Sequence, residues 1–232
     1  MSREVPGAAT PEDAKVQVAI RTPKAAAGAG IAFSVLFTVA FVLLRRAVPS
    51  DVHAPSTWVT SGSKRDQVIF AVNLLPFVGI AFLWFIAVVR DQLGDKEDRF
   101  FATVFLGSGL LFIAMLFAAG AAVVGLLATV RNNTAPSSEL WRFGRQLVSS
   151  LMGIYTLRMA AVFTAAATTL ARRVGLVPRW LVVLGYLTAL ALLLGVGTVP
   201  GLGLLFPAWV FLVSVHILVA SIRRDASVAS CD

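Results

Sequence analysis

The sequence predicts an all-α protein, a polytopic membrane helical bundle with six transmembrane helices, and three observations carry that reading. Of 232 residues, 58% are hydrophobic and only 14% are charged. The apolar residues run in blocks of about 20 or more, enough at 1.5 Å per residue to cross a hydrocarbon core of roughly 30 Å. The Lys and Arg residues stand in short clusters at the ends of those blocks, where they orient spans in a membrane. A mean hydropathy of +0.84 excludes an ordinary water-soluble core. The net charge of +8 and the pI near 10.8 therefore report membrane orientation rather than nucleic-acid binding.

Residues 1–24 are polar, with Pro6, Pro11 and Pro23, and read as a flexible cytoplasmic tail. Residues 25–44 are 20 uncharged residues and form the first span. A cleaved signal peptide competes for this run, but the long polar leader and the immediate Arg45-Arg46 pair favour an uncleaved anchor. Residues 45–66 make a polar loop with Pro49, Pro55, an interfacial Trp58 and the Lys64-Arg65 pair. Residues 67–89 are 23 residues without a charge, and residues 100–130 are 31. Between them seven of ten residues, 90–99, are charged, which makes a hairpin of two helices. Gly94 is suited to end the first helix, and Asp95 with Asp98 to cap the second. The second helix, about 46 Å long, exceeds the hydrocarbon and requires tilt, extension or bending at one of its glycines.

Residues 131–145 form a second polar loop, in which Asn132-Asn133-Thr134 is formally a glycosylation acceptor. Residues 146–171 are the fourth span, interrupted by Arg158. After Arg172-Arg173, 43 uncharged residues from 180 to 222 are too long for one crossing; the run from Val199 to Gly203 divides them into two spans of 19. Residues 223–232 are a cytoplasmic C-terminal tail, leaving 25–222 as the transmembrane domain. Six spans put both termini on one side, and that side carries twelve basic residues against seven on the other, Arg158 apart. The positive-inside rule then predicts a multi-pass protein of the plasma membrane with both termini cytoplasmic. A lone Cys231 excludes an internal disulfide and a cysteine metal cluster, and it is misplaced for prenylation.

The runs NLLPFVGIAFLWFIAVVRDQLGDKEDRFFATVFLGSGLLF, YTLRMAAVF and GLVPRWLVVLGY together resemble a family of small, uncharacterised six-span membrane proteins of actinobacteria, over about residues 67–222. The resemblance implies topology and a plasma-membrane location. It assigns no activity and no functional residue.

Arg158 is the leading candidate for a functional residue, because a charge inside a span is costly and no Asp or Glu lies in any span to neutralise it. It stands 14 residues before Arg172, about 21 Å along a helix. Asn73, Tyr155 and Tyr186 are its possible side-chain partners in an anion or lipid site. The alternative is that Arg158 snorkels to the outer interface. His216, in the last span, could shuttle protons or hold a metal, but without a second His, an acid or a Cys near it a packed imidazole is the simpler reading. Ser108 in LGSGLLF, with His216, would be the pair for an intramembrane hydrolase. Rhomboid proteases carry Gly-x-Ser-Gly, whereas Leu106 stands at the first Gly position here, and a close helix contact explains the small residues. Asp91, Asp95 and Asp98 would share a face only if Gly94 did not break the helix, so a solvated, mutually paired turn is expected rather than a Mg²⁺ site. The sequence thus predicts no catalytic residues, no metal and no cofactor. It points to a non-catalytic protein working through the lipid bilayer, a membrane-protein partner or a homo-oligomer, or alternatively to a small transporter or anion-binding protein built on Arg158.

Overall fold

A computed structural model describes residues 23–47, 62–93, 99–129, 138–175, 177–195 and 201–229. Residues 1–22 and 230–232, the Gly94, Asp95 and Asp98 turn signals, the Asn132 acceptor, Trp58, Pro200 and Cys231 lie outside the described residues, whereas 223–229, expected as a C-terminal tail, continue the last helix. Every regular element among the described residues is helical. In chain order these are α1 Pro23–Ala47, α2 Gly62–Leu93, α3 Arg99–Ala128 and α4 Ser138–Ser150. A π-helical turn, Leu151–Thr156, leads into α5 Leu157–Val174. Then come α6 Arg179–Leu194, a 3₁₀ turn Leu202–Leu204 and α7 Leu205–Ala229.

Among the described residues, five stretches are long and apolar enough to cross a membrane: Lys24–Leu44, Gly62–Arg90, Phe100–Ala128, Glu139–Val174 and Leu202–Arg223. α6 is the shorter sixth, 16 residues or about 24 Å. Its helix stops at Leu194 and not at the 19-residue length expected from hydropathy. The chain turns instead through Gly195 and through Gly201, whose φ of 93° is open to glycine without strain. The loop expected over 131–145 is also partly helical. α4 begins at Ser138 because Glu139 suits the positive end of a helix and because Trp141, Gly144 and Val148 recur on one face, with Trp141 buried against Leu127 of α3 and Val68 of α2. Gly175, at φ 72°, ends α5 by presenting its N–H to the carbonyls of Ala171 and Arg172, as a left-handed cap does.

The helices close into a ring. α1 packs on α2, α2 on α3, α3 on α5, α5 on α6, α6 on α7, and α7 returns to α1. Neighbours run antiparallel, as residue pairs show. Gly30 of α1 lies against Ser214 of α7, while Gly203, just before α7, lies against Phe41 of α1. Gly79 faces Phe117 and Gly120 faces Leu75 across α2 and α3. The start of α1 and the end of α7 therefore sit at the same end of the bundle. That end also carries Arg90, Arg172, Arg173 and Arg179.

The axis of the ring is filled by phenyl rings from five helices. Phe33, Phe82, Phe112, Phe163 and Phe206 are all 0% exposed. Phe82 lies 4.6 Å from Phe33, 5.0 Å from Phe112, 4.9 Å from Phe163 and 5.7 Å from Phe206 between centroids. These tilted and edge-on pairs fall in the favourable range, each worth about 0.5–1.5 kcal/mol beyond area burial. Lipid chains are as apolar as Phe, so this cluster gains its energy from close packing rather than from leaving water.

Phe82 touches every other ring of the cluster, so Phe82→Ala is expected to lower stability by about 3–5 kcal/mol, and Phe82→Leu by less, read from unfolding of the purified protein. Gly185→Ala should also destabilise, because a Cβ there meets the buried Thr168 and Trp209 side chains. Gly28→Ala, with nothing within 4 Å, should be neutral or stabilising by up to about 1 kcal/mol. Equal melting temperatures for the two glycine variants would show that the α5–α6–α7 packing is wrong.

Candidate functional site

Arg158 lies on α5, two residues past the π turn. That turn is held by the Thr156 hydroxyl, which donates to the Leu151 carbonyl at 2.7 Å, five residues back. The inner face of α5, including Leu157, Ala160, Ala161, Phe163, Thr164 and Ala167, is buried in the bundle. Arg158 is on the opposite side and is exposed, as is Tyr155 one turn before it at 53%. Neither makes a hydrogen bond or ion pair with any described residue. Arg158 thus faces outward from the ring and not into its centre.

The other polar candidates do not converge on it. Asn73 is exposed on α2, and α3 stands between α2 and α5 in the ring. Tyr186 is on α6, where its hydroxyl lies 2.9 Å from Thr169 Oγ1. Thr169 already donates to the Ala165 carbonyl at 2.8 Å, so Tyr186 is the donor and Thr169 accepts. Thr169 is eleven residues from Arg158, about 16 Å along α5. Of the proposed partners, only Tyr155 shares the Arg158 face.

Ser108 is buried on α3 and its hydroxyl donates within its own helix, to Val104 O at 2.6 Å with Phe105 O at 3.2 Å. Such back-bonding occupies the proton of a serine inside an apolar helix. His216 is half-buried on α7 and makes no hydrogen bond with any described residue. α3 and α7 lie across the ring from each other, and where they do meet it is through Phe112 and Phe206, 5.0 Å apart.

The depth of Arg158 follows from its neighbours. The Thr169–Tyr186 pair sets the register of α5 against α6. From there Leu194 is eight residues along α6, about 12 Å, whereas Arg158 is about 16 Å along α5. Arg158 therefore stands roughly one turn beyond the end of α6. Independently, the Leu157 side chain comes 3.3 Å from where a Cβ of Gly203 would sit, just before α7 begins. The residue that hydropathy puts inside a span lies next to one that is level with Gly203, just before α7 begins.

A second polar site was not legible in the sequence. Thr168 Oγ1 and Trp209 Nε1, both buried, have no hydrogen-bond partner among the described residues, and both crowd the space beside Gly185. Thr164 and Thr169 bond back to carbonyls four residues earlier, but Thr168 turns toward α6 and α7 instead. Only the four-residue spacing of Thr164 and Thr168 hints at an inward polar edge.

Fold and site together define a helical membrane bundle with a packed aromatic interior and a charged residue on its perimeter. No family model matches the chain, and neither a curated protein nor a solved structure matches it.

Removing the Tyr186 hydroxyl leaves Thr169 able to keep its backbone bond, so Tyr186→Phe is expected to cost only about 0.6 kcal/mol, the average for a hydrogen bond between membrane helices. A loss above about 2 kcal/mol in unfolding experiments would mean that Tyr186 has a larger role than this single bond.

Proposed function

We propose that this is a non-catalytic integral protein of the plasma membrane, with both termini in the cytoplasm, that works through contacts made by its outer surface with lipid or with another membrane protein, including a second copy of itself. The observation that carries this reading is the filling of the bundle axis by Phe33, Phe82, Phe112, Phe163 and Phe206, all fully buried. A transport path along the axis requires room or polar groups that this cluster does not supply. Meanwhile the in-span polar residues Arg158, Tyr155 and Asn73 are on the exterior, where a partner or a lipid reaches them. The cytoplasmic placement of the termini is supported by the positive-inside bias at the end that carries Arg90, Arg172, Arg173, Arg179 and Arg223.

Flux measurements test the reading. Reconstituted in liposomes, the protein should pass chloride, phosphate and small carboxylates no faster than empty vesicles, and Arg158→Ala should change nothing. Anion flux that depends on Arg158 would replace this reading with a transporter. Orientation is read separately from the native Cys231: a membrane-impermeant maleimide added to intact cells should leave it unlabelled until the membrane is opened.

A further inference from the structure

The helices of the ring differ in length, and the difference falls on one side. α2 has 32 residues and α3 has 30, about 48 and 45 Å. The stretch Glu139–Val174 has 36, about 54 Å. α6 has 16. At the end marked by Arg90, Arg172 and Arg179 those of the first six helices that reach it stop near one level, and α7 runs past it to Ala229, so the mismatch among the others appears at the opposite end. There α6 ends at Leu194, about one turn before Arg158, while α2, α3 and α4 continue past it. Their continuation is a packed structure of its own, with Leu44, Val68, Ala71, Leu127 and Trp141 as its small core. Among the described residues, the helices therefore end low at α6 and α7 and high at α2, α3 and α4. Arg158 on the outer face of α5 and Tyr155 in the π turn before it stand at the step between them.

We propose that this step is a binding site for the phosphate of an anionic phospholipid in the leaflet at that end of the bundle, with Arg158 as the charge that holds it and Tyr155 as a hydroxyl donor beside it. The site rests on the outer-surface reading above and names the partner for one face. Three observations support it. Arg158 is exposed in an otherwise apolar stretch and has no partner among the described residues, and Tyr155, on the same face, is also without one. Its depth suits a headgroup. Arg158 is about 21 Å from Arg172 along the helix, about 9 Å short of a hydrocarbon core of roughly 30 Å. An arginine stem recovers about 6 Å of that by leaning toward the interface. A short α6 draws the bilayer thinner beside it, which removes the remainder. The chemistry also fits, since a guanidinium presents a fork of donors to two phosphate oxygens, and a neighbouring phenol can donate to a third.

The experiment uses the full-length protein in a neutral detergent, titrated with short-chain phosphatidylglycerol, short-chain phosphatidylcholine or glycerol 3-phosphate, with melting temperature as the readout. Wild type should be stabilised by phosphatidylglycerol in a concentration-dependent way. Arg158→Gln should need at least about tenfold more of it for the same shift. Arg158→Lys, a point charge without the fork, should fall between. Tyr155→Phe should weaken the response to a smaller degree, and Arg179→Ala, at the opposite end, should leave it unchanged. Arg158→Lys and Tyr155→Phe keep the comparison decisive even if Arg158→Gln fails to fold. The proposal is overturned if the Arg158 variants titrate like wild type, if glycerol 3-phosphate stabilises as well as the lipid, or if phosphatidylcholine matches phosphatidylglycerol. Any of these leaves the wider outer-surface reading standing, because that reading falls only to Arg158-dependent anion flux in liposomes.

Discussion

The packing of phenyl rings on the bundle axis is the constraint from which the rest of the structure follows. In water a buried Phe is held by the hydrophobic effect, but between membrane helices that driving force is absent and only the quality of contact remains. Five rings from five helices, with Phe82 at the centre, fix the mutual rotation of those helices at one level. Small residues then let the helices approach above and below it. Gly109 sits against Ile86 and Phe163, and Gly30 against Phe85 and Ser214. Once the axis is occupied by hydrocarbon, polar residues in the spans must bond within their own helix, cross to a neighbour or face outward. Ser34, Ser108 and Thr164 take the first course, Thr169 and Tyr186 the second, and Arg158 the third.

Unequal helix lengths turn this symmetric ring into an asymmetric object. A bilayer can meet a rim that is low on one side only by thinning there or by letting headgroups descend. A cation just inside that rim is then much less costly than its position in the sequence implies. The same arginine on α2 or α3, whose apolar stretches continue for a full crossing, would be far more deeply buried in hydrocarbon. The cost of Arg158 is set by the length of α6, a helix that begins twenty-one residues after it.

Most of the architecture was legible because it is written in runs of uncharged residues. The hairpin of α2 and α3, the position of α5 and the basic clusters follow from counting charges. The misjudged points share a physical cause, which is that hydropathy records where a chain is apolar and not where it is helical. Residues 138–145 are polar yet helical, because their pattern has the periodicity of a helix that packs one face, with Trp141 inside. Gly195 lies in an uncharged run that hydropathy continues as a span, yet α6 has already ended at Leu194. The side of α5 on which Arg158 stands was not legible, because it needed the buried set of Leu157, Ala160, Ala161 and Thr164 that defines the inner side of that helix. The grouping of Arg158 with Asn73 and Tyr186 failed because proximity between spans depends on ring order and register, and a single sequence encodes neither openly.

Thr168 and Trp209 show how narrow the margin is for polar atoms in such an interior. A buried hydroxyl on a helix normally costs little, since the carbonyl one turn back accepts its proton. Thr168 forgoes that bond and points at the same small space beside Gly185 that the Trp209 indole N–H occupies. An indole can only donate, and a hydroxyl can accept, so the two are matched in kind, yet neither has a hydrogen-bond partner among the described residues. What this contact requires is the missing Cβ, since any side chain at 185 would meet both Thr168 and Trp209. The seam between α5, α6 and α7 is thus set by close approach at a glycine, with the Thr169–Tyr186 bond beside it.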